Sequence, residues 1–167
     1  LKNESPYFHY VDGVLYNRDV TLLMHYSMGS GVKEVRIADT VRTIGRNSFW
    51  NCKMIERIVI PSSVRQIGYN PFANCPDIVF ENHSPYYSVV DNVLYNISIE
   101  ELVCCPSSAA RNGVKIPDTV LNIGRNAFTG CESLKRVVFP ESVRYISRGA
   151  FSGCINLEEV LIPSTVR

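Results

Sequence analysis

Six cysteines are the residues of this 167-residue chain with the most obvious capacity for chemistry, as metal ligands or as disulfide partners. Four of them recur in register, because Cys52 and Cys75 have the same separation along the chain as Cys131 and Cys154. Side chains stacked in such a ladder point in parallel directions, which suits disulfide bridging poorly. We therefore expect small, buried, apolar side chains at these positions, with no bound metal and no cofactor.

The remaining cysteines and the histidines provide no recognisable catalytic pattern. Cys104 and Cys105 are adjacent, so a strand would send their thiols to opposite faces. None of His9, His25 and His83 has a nucleophile or a carboxylate at a spacing that would place the two groups together. We expect surface histidines, no catalytic residues and no enzymatic activity.

Composition and charge exclude several classes of partner. A formal net charge of +1 gives no field that favours nucleic acid or an anionic membrane. No apolar run approaches the roughly 20 residues that span a bilayer, so we expect no membrane insertion by this segment. Of three Asn-x-Ser sequons, at Asn3, Asn82 and Asn96, the first two occupy equivalent positions of a duplication. They reflect that duplication more than selection for glycosylation.

The chain repeats itself when residue 1 is aligned with residue 80, since Val11–Asn17 then matches Val90–Asn96 and Ile44–Phe49 matches Ile123–Phe128. The shorter spacing of the cysteines is nested inside this longer period. Periods of roughly 20 to 50 residues indicate units that bury their apolar faces only by stacking on their neighbours. We predict one solenoid domain over residues 1–167, with repeats at 1–79 and 80–158 and a third copy from 159. Both ends cut through a repeat, so we expect a piece of a longer array.

One coil can be traced from its residue types. Alternating apolar residues over Leu134–Phe139 predict a short strand that is ended by Pro140. Stacked coils would align such strands in one parallel sheet. Its six expected rungs end at Ile37, Ile60, Phe80, Ile116, Phe139 and Ile162. Asp12-Gly13 and Asp91-Asn92, each flanked by apolar residues, predict a β-hairpin inserted in each repeat.

The pattern Leu-x-x-Val-x-Ile-Pro-x-x-Val-x-x-Ile-Gly-x-x-Ala-Phe-x-x-Cys, read in Leu134–Cys154 and in Ile55–Cys75, resembles the BspA-type leucine-rich repeat. The segment Val11–Asn17 resembles the insertion that interrupts such arrays. The resemblance implies a right-handed leucine-rich-repeat solenoid, of α/β or mainly β class. It also implies a cell-surface or secreted protein of host-associated bacteria or some protozoa, with an adhesion or protein-binding role.

A candidate binding surface follows from the strand positions that point outward. Between the inward residues lie Arg36, Val59, Lys115, Val138 and Leu161, which we expect to form one exposed stripe. Three of the five are apolar, and a contiguous apolar stripe on a sheet is a candidate contact surface for a protein. The alternative is that β-branched residues simply favour exposed strand positions.

Arginines form a second pattern, in two ladders of equivalent coil positions. One ladder holds Arg42, Arg65, Arg144 and Arg167, and the other holds Arg46, Arg125 and Arg148. Stacked arginines could meet an acidic glycan or an acidic protein, but we expect a solvated face whose charges are paired with carboxylates.

Together these patterns predict a non-enzymatic protein-binding or adhesion module of an extracellular or cell-surface protein, whose partner is a protein, such as a host surface protein, or a glycan. The alternative is a structural spacer or self-associating scaffold within a larger surface protein. A specific function should lie at positions where the two repeats differ, such as His25-Tyr26 against Cys104-Cys105.

Overall fold

The computed structural model describes residues 5–27 and 31–167. Within these ranges the chain forms short β-strands and one four-residue helix. Up to the start of the second repeat the strands are β1 (Phe8–Val11), β2 (Val14–Asn17), β3 (Leu22–Tyr26), β4 (Glu34–Arg36), β5 (Thr43–Ile44), β6 (Arg57–Ile60), β7 (Gln66–Ile67) and β8 (Val79–Asn82). The second repeat and its continuation contain β9 (Tyr87–Val90), β10 (Val93–Asn96), β11 (Glu101–Cys104), α1 (Ser107–Ala110), β12 (Asn122–Ile123), β13 (Arg136–Val138), β14 (Tyr145–Ile146) and β15 (Glu159–Leu161).

Two sets of parallel strands enclose the core. The first set, called the strand wall, contains β4, β6 and β8 in one sheet and β13 and β15 in another. The second set, called the back wall, contains β3, β5 and β7 in that order and β11, β12 and β14 in that order, each strand paired with the next. Each pairing joins equivalent residues of successive coils, as when Val35 lies beside Ile58. The predicted solenoid is therefore confirmed.

Repeated apolar residues fill the space between the walls. Ile58 of the strand wall and Ile44 of the back wall are both fully buried in the same core cluster. At the corner of each coil, the ring of Phe49 stacks on Phe72 with centroids 5.4 Å apart. The corresponding rings of Phe128 and Phe151 lie 5.3 Å apart. Like residues stack on like residues, so the same residue types stabilise each successive coil.

The strand wall is divided into two sheets, whereas one continuous sheet was predicted. The expected rung that ends at Ile116 is not a strand, although Ile116 itself is buried. The edge of β8 is occupied by a side chain instead, because the amide of Asn92 accepts from Phe80 N at 3.0 Å and donates to Ile78 O at 2.8 Å. Ser108 of α1 also donates to Ile78 O. These contacts satisfy the backbone groups that would otherwise pair with the next strand.

The inserted hairpins have the predicted turns. β1 pairs antiparallel with β2, and β9 with β10, each across a two-residue loop. Both loop residues have positive φ in each case: 49° and 82° for Asp12 and Gly13, and 49° and 60° for Asp91 and Asn92. Two residues of positive φ define the type I′ turn that suits the twist of a hairpin.

Asparagines with positive φ form a further ladder that the residue spacing could have revealed. Asn47, Asn70 and Asn126 occupy one corner position with φ between 55° and 61°, and the next coil has Gly149 there. Asparagine is among the few residues with a side chain that tolerate this left-handed conformation. The recurrence of Asn or Gly at this position therefore follows from the backbone of the corner.

Candidate functional site

The predicted stripe lies on the outer face of the strand wall, and the register of the strands fixes the neighbours of its members. Arg36 pairs with Val59, which in turn pairs with Glu81 of β8. Val138 of β13 pairs with Leu161 of β15. The structure therefore brings the candidates together in two separate groups.

Lys115 lies apart from both groups of the stripe. It is exposed, but it belongs to the segment that forms no strand, so its side chain is not held in the register of the wall. It contributes to a groove beside Val138 rather than to a rung.

Val59 does not form part of an exposed stripe, which corrects the sequence prediction. Only 7% of Val59 is accessible. It lies on the central strand of its sheet, between the longer side chains of Arg36 and Glu81. An outward strand residue is covered when long side chains flank it on both neighbouring strands. The expected contiguous apolar stripe is thus interrupted at its first apolar member.

Ion pairs occupy the surface around Val59. Arg36 pairs with Glu34 at 2.6 Å, and Arg57 pairs with Glu81 at 2.9 Å. The ring of His83 lies 3.0 Å from the second carboxylate oxygen of Glu81. Hydrogen bonds from His83 and Arg57 hold the pKa of the Glu81 carboxyl below its usual range. The first half of the strand wall, β4–β6–β8, is therefore a paired, charged surface.

The second half of the strand wall, β13–β15, carries an ion pair between Arg136 and Glu159 and presents apolar side chains beside it. Val138 is 46% accessible and Leu161 is 42% accessible. A groove of about 670 Å³ adjoins this pair, between residues 112–118 and residues 136–140. It exists because residues 112–118 do not pair with β13 as Glu34–Arg36 pairs with β6. The combination offers an apolar contact area next to the ammonium group of Lys115.

The cysteines are packed side chains, as predicted from their ladder. All six lie within the described residues and all are free thiols, and Cys154 alone is half-buried. Three thiols donate to backbone carbonyls of a preceding coil at 2.9–3.0 Å: Cys75 to Phe49, Cys131 to Cys105 and Cys154 to Phe128. Burial raises the pKa of Cys154 to about 11. A protonated, buried thiol is a poor nucleophile and a poor metal ligand.

The adjacent Cys104 and Cys105 belong to different parts of the core. Cys104 packs with the cluster that contains Ile58, and Cys105 packs with the cluster that contains Phe128. Burial raises the pKa of Cys104, and a hydrogen bond with Cys131 together with burial raises the pKa of Cys105. Cys104 is the last residue of β11, and Cys105 follows the strand.

The histidines show no catalytic arrangement. His9 and His25 are exposed, and His83 hydrogen-bonds to Glu81 alone among the side chains of the described residues. Over residues 5–27 and 31–167, no group of three or more His, Cys, Asp or Glu side chains could hold a metal ion. In the same residues no helix has the length and apolar character that crossing a membrane requires.

The sequon asparagines use their side-chain amides within their own loops. Asn82 Nδ2 donates to Ser84 O at 3.1 Å and to Tyr87 O at 2.8 Å. Asn96 Oδ1 accepts from the backbone N–H groups of Glu100 and Glu101 at 2.9–3.0 Å. Asn3 lies outside the described residues.

The arginine ladders are not paired with carboxylates, which corrects the expectation of a salt-paired face. Among the described residues, none of Arg42, Arg65, Arg46, Arg125, Arg148, Arg144 and Arg167 forms an ion pair. Arg144 instead donates to backbone carbonyls, including Glu141 O at 2.6 Å. Both Arg46 and Arg125 place their guanidinium carbon 4.6 Å from the ring centroid of Tyr69. Tyr69 could have been found from the sequence, since it occupies in its own coil the position that Arg46 has in the preceding one.

Comparison with known proteins identifies the repeat. A sequence profile described as the BspA-type leucine-rich repeat region matches residues 25–109 and 104–167, with six copies. A comparison with curated proteins gives no match.

Solved structures share the fold. The pneumococcal vaccine antigen PcpA is similar over 81% of this chain, with a TM-score of 0.68 and 20% identity. A leucine-rich cell-surface protein from Faecalibacterium prausnitzii is similar over 95%, with a TM-score of 0.57 and 26% identity. The T. pallidum leucine-rich repeat protein is similar over 98% of this chain and 84% of its own, with a TM-score of 0.51 and 22% identity. The chain spans 40% of the length of each of the first two proteins.

Proposed function

Since this chain belongs to the BspA-type leucine-rich repeat family, we propose that it is a non-enzymatic protein-binding module of a cell-surface or secreted protein. The contact surface in this proposal is the second half of the strand wall, with Val138 and Leu161 at its centre and Lys115 at its border. Arg36 and Val59 are not part of it, because ion pairs surround the first and neighbouring side chains cover the second.

The observation that carries the proposal is the exposure of Val138 and Leu161 next to an open groove. Two adjacent apolar side chains beside a concave surface provide the kind of centre that a protein partner desolvates on binding. The relative from F. prausnitzii is described as a cell-surface protein, which supports an extracellular setting for such a contact. Leucine-rich repeats present rigid, extended surfaces, so the partner would be a folded or extended protein segment.

The test is a binding measurement against immobilised fibronectin, fibrinogen, laminin and collagen by biolayer interferometry. We expect saturable binding to one of these proteins by the wild-type chain. The double variant Val138→Glu with Leu161→Glu should weaken that binding by about tenfold or more, because two carboxylates would be desolvated at the centre of the contact.

Val79→Glu is the matched control for this experiment. Val79 lies on the outer face of β8 and is 47% accessible, so it equals Val138 in residue type and exposure but belongs to the first half of the strand wall. We expect unchanged binding by this variant. Absence of binding to all four proteins, or an equal loss in both variants, would contradict the proposal.

The same exposed apolar pair also supports the alternative function, a self-associating scaffold. In that case Val138 and Leu161 of two copies would contact each other. Light scattering at micromolar concentration separates the two functions. A mass above that of the monomer, reduced to the monomer by the Val138→Glu and Leu161→Glu double variant, would favour the scaffold over the binding module.

A further inference from the structure

The corner of the solenoid next to the back wall carries a tyrosine within a ladder of arginines. Four coils place Arg46, Tyr69, Arg125 and Arg148 at this position, and the coil that carries the hairpin β9–β10 comes between those of Tyr69 and Arg125. The guanidinium groups of Arg46 and Arg125 lie over the ring of Tyr69, each 4.6 Å from its centroid. Arg46 comes from the preceding coil and Arg125 from the second repeat, so Tyr69 marks the junction of the two repeats. Cation–π contact orders these side chains without neutralising their charge.

The arginines of this corner form no direct ion pair within the part of the chain that the structure describes. Among the described residues, neither Arg46 nor Arg125 nor the nearby Arg65 forms an ion pair. Arg57 and Arg136, by contrast, are both paired on the strand wall. Unpaired guanidinium groups that are fixed in place by other contacts are preorganised to bind a carboxylate in a bidentate manner.

A groove of about 320 Å³ opens beside Tyr69, at the lower end of the range for small-molecule sites. It lies between β7 and the hairpin β9–β10, where the back wall passes from one repeat to the next. The hydroxyl of Tyr87 accepts a hydrogen bond of 2.7 Å from Ile67 N, which anchors the hairpin against the free edge of β7. Tyr69 and Tyr86 are exposed along its rim.

The polar lining of this groove is mixed in charge. Arg65 and Arg125 line it together with the carboxylate of Glu101. Glu101 is close enough to Tyr87 to contribute to the raised pKa of that phenol, although burial is the main cause. It forms no ion pair with either arginine among the described residues. The groove therefore offers donors for an anion and, separately, an acceptor for hydroxyl groups.

The residues that give the groove its character are those at which the two repeats differ. The equivalents of Tyr69, Tyr87 and Glu101 in the other repeat are Arg148, Phe8 and Leu22. Arg125 and Gly124 are the same in both repeats, as Arg46 and Gly45. Gly124 and Arg125 were thus retained at this junction, while a ring, a hydroxyl and a carboxylate distinguish it from its copy.

We propose that this groove binds a carboxylated sugar, as found in uronic acids and sialic acids. Arg65 and Arg125 bind the carboxylate, and the ring of Tyr69 holds the guanidinium of Arg125 in place for this contact. Tyr86 packs against the apolar face of the sugar ring, and Glu101 accepts hydrogen bonds from its hydroxyl groups. An acidic peptide would satisfy the arginines, but its carboxylate side chains have no hydroxyl donors for Glu101 to accept from. Glu101 is the residue that favours the sugar.

This site is independent of the protein-binding surface under Proposed function. Its residues lie at the corner and on the back wall, and Val138 and Leu161 lie on the strand wall. The double variant of Val138 and Leu161 should leave sugar binding unchanged, so the two proposals fail separately.

Calorimetric titration with trigalacturonic acid and with 3′-sialyllactose tests the sugar site and distinguishes the two sources of carboxylate. We expect saturable binding of at least one of them. The methyl ester of the same sugar should bind about tenfold more weakly or not at all, because it removes the charge and keeps the ring. Tyr69→Ala and Arg125→Gln should each weaken binding of the acid by about tenfold.

Arg148→Gln is the matched control, because Arg148 occupies the same ladder one coil further on and does not line the groove. Its binding should equal that of the wild type. Failure of both sugars to bind, or an equal loss in Arg148→Gln and Arg125→Gln, would overturn the proposal. A hexaglutamate peptide that binds as tightly as the sugars would overturn it in favour of an acidic peptide.

Discussion

The two halves of the strand wall are built on the same inward residues but differ on their outward faces. In the first half, Arg57 links Glu34 and Glu81 across three paired strands. In the second half, Arg136 pairs with Glu159, and Val138 and Leu161 lie exposed next to this pair on two strands beside a segment that forms no strand. Inward positions are constrained by stacking on equivalent residues, and outward positions are constrained only by solvent. The inward residues could therefore stay the same in both repeats while the outward residues diverged.

If the buried frame is equivalent in the two repeats, the largest effects of mutation should be equal in both. Phe49→Ala and Phe128→Ala each remove a fully buried ring that stacks on the next coil. We expect each to lower the free energy of unfolding by about 3–5 kcal/mol, measured by urea denaturation. The exposed neighbour Trp50, changed to Ala, is the control and should have a far smaller effect. If one of the two phenylalanine variants loses almost none of its free energy of unfolding, the cores of the two repeats are not equivalent.

The corners of the coils differ between the repeats, because the second repeat has Gly130 and Gly153 at the positive-φ position where the first has Asn51 and Asn74. A Cβ atom on Gly130 would lie 2.1 Å from Asn74 Oδ1, whereas on Gly153 its nearest neighbour would be 3.5 Å away. The two glycines have φ of 74° and 73°, so both alanine variants carry a similar backbone cost of about 1–2 kcal/mol.

We therefore expect Gly130→Ala to destabilise the protein by about 1 kcal/mol more than Gly153→Ala in thermal unfolding, because the side chain of Asn74 must move. Equal destabilisation by the two variants would show that Asn74 adjusts freely and that the repeats do not interlock at this corner.

The buried frame could be predicted from the sequence because each of its residues recurs in register. The same residue type at a fixed spacing indicates the same environment, as with Phe49 and Phe128 or with Cys52 and Cys131. The hairpins could be predicted for a local reason, since Asp12-Gly13 and its copy specify a turn by themselves.

The outward surface could not be predicted in the same way, because exposure depends on what lies on the neighbouring strands. Val59 and Val138 occupy equivalent positions, yet long side chains flank the first and a groove adjoins the second. The break in the strand wall depends on Asn92, whose amide reaches back along the chain to the edge of β8 at Phe80. Among the outward residues only Tyr69 could be recognised from the sequence, because it is aromatic at a coil position that the equivalent coils fill with arginine.

Asn92 provides a smaller test, because its equivalent in the first repeat is Gly13. Asn92→Gly keeps the positive φ of the turn but removes the hydrogen bonds to Phe80 N and Ile78 O. We expect a loss of about 1–2 kcal/mol in the free energy of unfolding, and faster amide hydrogen exchange at Phe80.

Asn126→Gly is the control for this change, since Asn126 also has positive φ and the next coil has Gly149 there. Both variants introduce a glycine, so both raise the conformational entropy of the unfolded chain by a similar amount. If both variants are equally destabilised and the exchange at Phe80 is unchanged, the side chain of Asn92 does not end the first sheet.

The smallest expected effect concerns acid, and it should be confined to the first half of the strand wall. The pKa of Glu81 is lower in the folded protein than in the unfolded chain, so its contribution to stability is present above the ordinary carboxyl pKa and is lost as the pH falls through the lowered value. Glu81→Gln should therefore make the decrease in Tm on acidification shallower than in the wild type. Glu141→Gln, on an exposed carboxylate without an ion pair among the described residues, should leave that decrease unchanged. An identical acid response of Glu81→Gln and wild type would mean that the ion pairs around Val59 are surface contacts that contribute nothing measurable to the fold.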